Sequence, residues 1–291
     1  MDGKCLTGCG TAMFTPFQDG KVDVPSLIRQ TREQVEAGMD FLVPLGTTGE
    51  TPTLSDEEKL LVFRTVKAHS GNLPVMVGVG TNSFEGTLSN MRLLAEADAY
   101  LVVVPYYNKP PQRGLLAYFQ GLAAETSRPI VLYNVPGRTG TNLEAGTTLA
   151  LSRTKNIVGI KEASGRRDQI LEILEGAPED FAVLSGNDDD TLFLMEHGAD
   201  GVVSVASNLA PALMVRFVQA LRQGDFATAR SLEERLSPLF RDLFVEPNPI
   251  PGKAGMALLG RMEDDLRLPL VSALPATREL IEKDLKDLDL L

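Results

Sequence analysis

Eight short apolar runs, each followed by a stretch with helical spacing, predict an α/β chain: a (β/α)8 TIM barrel with a C-terminal helical extension. Two further observations support that class. The runs are apolar almost throughout instead of alternating, which suits parallel strands covered on both faces. After the eighth run only helical patterns remain. An open doubly wound sheet would need a G-x-G-x-x-G turn after its first strand, and none stands there.

The runs are "GTAMFTPF", "FLVPLG", "VMVGVG", "AYLVVVP", "IVLYNV", "IVGIKEA", "FAVLSGN" and "GVVSVA", starting near residues 10, 41, 75, 99, 130, 157, 181 and 201. Their β-branched content and their length mark them as strands. The helices between them carry start signals: Ser55 precedes "DEEKLLVFRTVKAH", and Glu58 completes a capping box. Beyond the last strand, helices are expected over roughly 211–223, 225–243, 251–259 and 276–288. The first closes the barrel and the others form the extension, giving a division into 1–224 and 225–291 within one compact fold. Pro247, Pro249 and Pro251 in "EPNPIPGK" should end one helix and set the direction of the next.

Composition excludes several classes of function. With 43% hydrophobic and 23% charged residues and no apolar run of membrane-spanning length, the chain reads as a soluble protein with a sizeable core. The start "MDGKCLTGCGTAMF" lacks the basic and apolar segments of a secretory signal, so a cytoplasmic location is expected. A net charge of -11 without a basic patch argues against nucleic-acid binding. Cys5 and Cys9 have no second pair to complete a metal site, and are read as reduced thiols. His69 and His197 are the only histidines. Asp188, Asp189 and Asp190 are read as a helix start, where carboxylates are favoured, and not as a metal site. Neither a metal nor an organic cofactor is expected.

In a βα barrel the reactive groups gather at the C-terminal ends of the strands. That rule collects Thr47, Thr48, Tyr107, Tyr133, Arg138, Lys161 and Gly186 from "GTTGET", "PYYNKP", "YNVPGRTG", "IKEAS" and "SGNDDD". Lys161 ends an apolar strand; burial and a nearby guanidinium would favour its neutral, nucleophilic amine, able to form an imine with a keto acid. It could otherwise snorkel to the rim or pair with Glu162. Tyr133, on the neighbouring strand, can carry a proton to or from that imine. Thr48 can link it to a second tyrosine, Tyr107, because a hydroxyl donates and accepts at once. The glycines flanking Thr47 and Thr48 allow backbone amides to converge on a carboxylate or phosphate. Arg138 offers a planar fork for a carboxylate.

These segments, with "GIKEASG" and the tail "NPIPGK", make the sequence similar over nearly its whole length to the dihydrodipicolinate synthase and N-acetylneuraminate lyase family of class I aldolases. Thr47, Thr48 and Arg138 resemble the synthase branch. The resemblance implies a Schiff base between Lys161 and pyruvate, a proton relay through Tyr133, Thr48 and Tyr107, and Tyr107 reaching in from an adjacent subunit. It also implies that Arg138 holds the carboxylate of L-aspartate 4-semialdehyde. Thr47, Thr48, Gly186 and Val203 join Arg138 as substrate-binding positions. No cofactor is implied, and the expected assembly is a homo-oligomer, dimer or tetramer. One departure stands out: Gly252 replaces the usual valine of this tail, read as a packing change remote from the chemistry. The alternatives left open are a pyruvate-dependent lyase or aldolase acting on a sugar acid, and a catalytically silent pyruvate-binding barrel.

Overall fold

The computed structural model describes residues 6–291. Cys5 lies outside them. Strand β1 (Gly8–Ala12) is followed by a hairpin, β2 (Phe17–Gln18) and β3 (Lys21–Val22), and the barrel strands continue as β4 (Phe41–Val43), β5 (Met76–Gly78), β6 (Ala99–Val103), β7 (Ile130–Asn134), β8 (Ile157–Glu162), β9 (Ala182–Ser185) and β10 (Gly201–Ser204). The hairpin is absent from the sequence reading. The run "GTAMFTPF" stops pairing at Ala12, and Asp19 and Gly20, at φ 51° and 73°, make the left-handed turn that joins its last residues to Lys21.

Helices α1 (Val24–Ala37), α2 (Asp56–His69), α3 (Phe84–Leu93), α4 (Gln112–Ala124), α5 (Pro136–Thr139), α6 (Ala145–Leu151), α7 (Arg167–Gly176), α8 (Thr191–Glu196) and α9 (Pro211–Arg222) alternate with the strands, and α10 (Phe226–Asp242), α11 (Ile250–Leu258) and α12 (Pro275–Asp287) follow them. The eight parallel strands are hydrogen-bonded in the order β4-β1-β10-β9-β8-β7-β6-β5. Leu42 closes the circle by a parallel bridge to Val75, the residue before β5. The fold is the expected (β/α)8 barrel with C-terminal helices. Among the described residues, no helix is long and apolar enough to cross a membrane.

By proximity the chain divides into two units. One runs from Met76 to Val203 and takes in residues 6–8. Its strands β6 to β9 are buried on both faces, as near-continuous apolar runs require: Ala99, Val102, Val131, Leu132, Ile160 and Leu184 are wholly covered. The other unit holds Cys9–Val75 and Ser204–Leu291. In it the helix ends follow local chemistry. Asp23 caps α1 by accepting from the Ser26 amide at 3.2 Å, and Gly38, at φ 85°, ends it in the left-handed conformation that a residue without Cβ adopts freely. The capping box is complete: the Glu58 amide donates to Ser55 Oγ at 3.3 Å and the Ser55 amide donates to Glu58 at 3.0 Å. Pro251 falls in the first turn of α11, where a missing N–H costs no helical bond.

Candidate active site

Two clusters of the predicted residues are built independently, one in each unit. In the first, register decides the arrangement. Tyr133 on β7 stands opposite Lys161 on β8, and Asn134 stands opposite Glu162. Neighbours paired across parallel strands project to the same face, so Tyr133 and Lys161 share one side and Asn134 and Glu162 the other. Lys161 is 5% exposed and Tyr133 7%, and the Lys161 Nζ lies 4.4 Å from the centre of the tyrosine ring. An amine held against an aromatic face at this burial is largely removed from water.

Glu162 does not neutralise that lysine. Its carboxylate accepts from Asn134 Nδ2 at 3.1 Å, from the Ser164 amide at 2.9 Å and from Gln169 Nε2 at 3.1 Å. Burial pushes this carboxyl above the usual range, and those donors oppose the shift. The same amides continue to Asn142, which accepts from Asn134 Nδ2 at 3.0 Å and donates to Gln169 at 2.8 Å. A polar girdle thereby fixes the chain on the far side of α5, the short helix that carries Arg138.

Gly186 follows β9, and its amide donates to the Glu162 carbonyl at 2.7 Å. A Cβ there would meet the Ala163 Cβ at 2.6 Å and the Lys161 Cε at 3.0 Å. The glycine therefore gives the lysine stem its room, a role that the spacing of "SGN" does not reveal. Val203 is wholly buried on β10. Arg138 is exposed on α5. Tyr107 is joined to the same loop through its amide, which donates to the Thr139 carbonyl at 3.2 Å. Its backbone is left-handed, at φ 74°, and the residue is 87% exposed. Asp188–Asp190 form a single tight turn ahead of α8, and Asp190 takes the Arg167 guanidinium at 3.0 and 3.1 Å.

The second cluster centres on "GTTGE". Thr47–Gly49 form a tight turn and Glu50 leaves it at φ 51°. The turn engages the amides of Gly49 and Glu50 internally, at 3.1 and 3.2 Å, so an anion held by this loop is left the amides at its start, those of Thr47 and Thr48. Thr15 Oγ1 donates to the Gly49 carbonyl at 2.8 Å, pinning the turn from β1's side. Thr48 is buried, and its hydroxyl accepts from Asn248 Nδ2 at 2.9 Å.

Sequence reasoning missed what anchors this loop. The Glu50 carboxylate meets Lys253 Nζ at 2.6 Å with both side chains fully enclosed. Lys253 also donates to the Asp265 carbonyl at 2.8 Å and lies 4.2 Å from the centre of the Phe17 ring. Burial pulls its ammonium below the usual range, and Glu50 pulls it back. The amide of Arg267 donates to the second Glu50 oxygen at 3.1 Å, while its guanidinium forks onto Glu58 and reaches the carbonyls of Thr53 and Gly20 at 2.9 and 2.7 Å. Removing one partner of a buried pair costs about 3–5 kcal/mol, so this lock dictates where the turn sits. Asn248 and Lys253 both lie in "NPIPGK", whose prolines drew attention and whose polar residues did not.

The sequence pattern of the Dihydrodipicolinate synthetase family matches residues 5–288. The 4-hydroxy-tetrahydrodipicolinate synthase of Thermotoga neapolitana is 45% identical over 98% of this chain and 99% of its own. The crystal structure of dihydrodipicolinate synthase from Thermotoga maritima is similar with a TM-score of 0.96 at 46% identity, over 98% of this chain and 99% of that one. That of the Acinetobacter baumannii enzyme, complexed with pyruvate, is similar at 0.96 and 36% identity, over 98% and 99%.

Proposed function

The chain belongs to the dihydrodipicolinate synthetase family, and from that premise we propose that it is a 4-hydroxy-tetrahydrodipicolinate synthase, a lyase of lysine and diaminopimelate biosynthesis that joins pyruvate to L-aspartate 4-semialdehyde through an imine on Lys161. The observation that carries this reading is the buried Lys161 amine 4.4 Å from the ring of Tyr133.

In the proposed sequence, the neutral Lys161 amine attacks the pyruvate ketone, and the carbinolamine loses water once its hydroxyl takes a proton from Tyr133. The protonated imine is an electron sink, so a methyl proton of pyruvate leaves through Tyr133 and its relay and an enamine forms. Its carbon attacks the aldehyde, whose oxygen takes a proton back from Tyr133 and becomes the new hydroxyl. The substrate's own amine then displaces Lys161 and closes the six-membered ring, regenerating the enzyme with no external redox agent and no cofactor. Thr48 and Tyr107 complete the relay with Tyr133. The amides of Thr47 and Thr48 take the pyruvate carboxylate, with Gly186 and Val203 bordering it. Arg138 takes the carboxylate of the semialdehyde, where each charge-assisted bond contributes about 1.5–3 kcal/mol.

The exposure of Tyr107, 87% open to solvent, supports its service in a neighbouring subunit. The same reading makes the protein a cytoplasmic homo-oligomer, a dimer or tetramer.

The test is pyruvate consumption by the purified protein with L-aspartate 4-semialdehyde, beside N-acetylmannosamine and glyceraldehyde, across a dilution series. Rapid loss with the semialdehyde alone, with specific activity falling as subunits separate, is expected. Consumption only with a sugar aldehyde would reassign the substrate, and activity independent of dilution down to monomer would remove Tyr107 from the relay.

A further inference from the structure

The Asn248 amide donates to the Thr48 hydroxyl at 2.9 Å, between two buried side chains. A hydroxyl has one proton to give and two lone pairs to receive with. The Asn248 N–H occupies one lone pair. Thr48 is left with one acceptor position and one donor, which is the valence of a single link in a chain that passes protons one way at a time. An acceptor in the same place would do the reverse, drawing the Thr48 proton to itself and leaving an oxygen that can only accept.

We propose that Asn248 is a positioning residue that sets the polarity of the proton relay, by donating to Thr48 and so keeping the Thr48 proton available to the reaction. This rests on the function proposed above. When the carbinolamine expels water, its leaving hydroxyl takes the Tyr133 proton; Thr48 gives its proton to Tyr133 and takes one from Tyr107, which recovers its own from solvent, so one proton enters the chain for each that leaves. Asn248 touches neither substrate nor reacting atom in this scheme and acts through Thr48 alone.

The tail around Asn248 is held independently of this bond. Lys253, one helical turn into α11, is locked to Glu50, and Ile250 donates its amide to the Pro247 carbonyl at 3.0 Å. Changing the Asn248 side chain therefore leaves the segment anchored, and its effects can be read as chemistry.

The decisive variant is Asn248→Asp, nearly isosteric, with an acceptor where the donor was. The rate of the borohydride-trapped pyruvate adduct, followed by mass spectrometry in a quench series, is compared with the unaltered protein from pH 5.5 to 9. A loss of about a hundredfold is expected at alkaline pH, the lower end of what a positioned proton carrier contributes. The ratio of variant to unaltered rate should climb as pH falls and the new carboxyl regains a proton to donate. Asn248→Ala, which removes the donor without adding an acceptor, should lose about tenfold, less than a full carrier's share, with unchanged pyruvate KM and a ratio that does not vary with pH. A pH-independent ratio for Asn248→Asp, or an alanine variant as slow as the aspartate one, overturns the proposal. If the aspartate variant does not fold, the alanine change is repeated in a Thr48→Val background: its effect should vanish there, and an equal effect in both backgrounds overturns the proposal. Absence of any adduct in the unaltered protein would instead sink the Schiff-base reading on which this one stands.

Discussion

Lys161 and Gly186 act as a pair. The lysine owes its conformation to the space that the missing Cβ leaves, since a methyl at Gly186 would lie 3.0 Å from Cε and 2.6 Å from the Ala163 Cβ. Lys161→Ala should yield no trapped pyruvate adduct, and an undiminished adduct would remove the lysine from its proposed role. Gly186→Ala should still give the adduct, about a hundredfold more slowly, because a displacement of even one ångström at a reacting group costs on that scale. A wild-type rate would show that the stem has slack. The lysine was legible in the sequence because an ammonium at the end of "IVGI" is conspicuous; the glycine's reason was not, since close approach between β8 and β9 is a three-dimensional fact. Glu162 shows the same limit. Adjacent to Lys161 in sequence, it suggests an ion pair, yet period-two alternation sends it to the opposite face, where Asn134 and Gln169 meet it.

At the scale of elements, α11 and the segment after β1 fit through one substitution. A Cβ at Gly252 would lie 2.4 Å from the tip of the Phe14 ring, which is itself buried. The ring fills the place that a side chain at this position would need. Gly252→Val should therefore lower the melting temperature, by overpacking worth about 1–3 kcal/mol, and Phe14→Leu in the same chain should recover most of it. A valine variant as stable as the parent would show that the ring yields. Strand starts were read closely from apolar runs because burial on both faces leaves no polar residue to confuse the pattern. The hairpin β2–β3 was not, although Asp19-Gly20 is a turn signal, because two-residue strands fall below any periodicity. The anchoring of "GTTGE" was hidden for a different reason: Glu50 and Lys253 are far apart in sequence, and nothing local marks them as partners.

Across the whole molecule the carboxylates decide how stability follows pH. Asp242 and Asp284 are both buried, on α10 and α12, and the Asp284 carboxyl donates to Asp242. The Arg241 guanidinium forks onto Asp242 at 2.7 and 2.8 Å and holds it below the usual range, together with Asp284 and Lys283. Burial first, and then Asp242, push Asp284 up from 3.8 to about 7. The folded protein thus keeps a proton there that the unfolded chain releases, so this group's contribution is full below about pH 4 and is lost as pH rises through about 7. Asp242 has the opposite sign, its contribution being present above the ordinary carboxylate range and lost in acid. Melting temperatures between pH 5 and 8 should fall more steeply for the parent than for Asp284→Asn, which keeps a donor to Asp242 without titrating; parallel slopes would refute the shared proton. The Glu50–Lys253 pair belongs to another regime. Dissolved ions screen charges that water can reach, so the surface pairs Lys286–Glu282 and Lys283–Asp287 fade as ionic strength rises, whereas a pair with no exposed atom is out of their reach. The shape of the "GTTGE" loop is thereby made independent of the salinity of the medium, a constancy that an acidic protein of net charge -11 could not obtain from its surface.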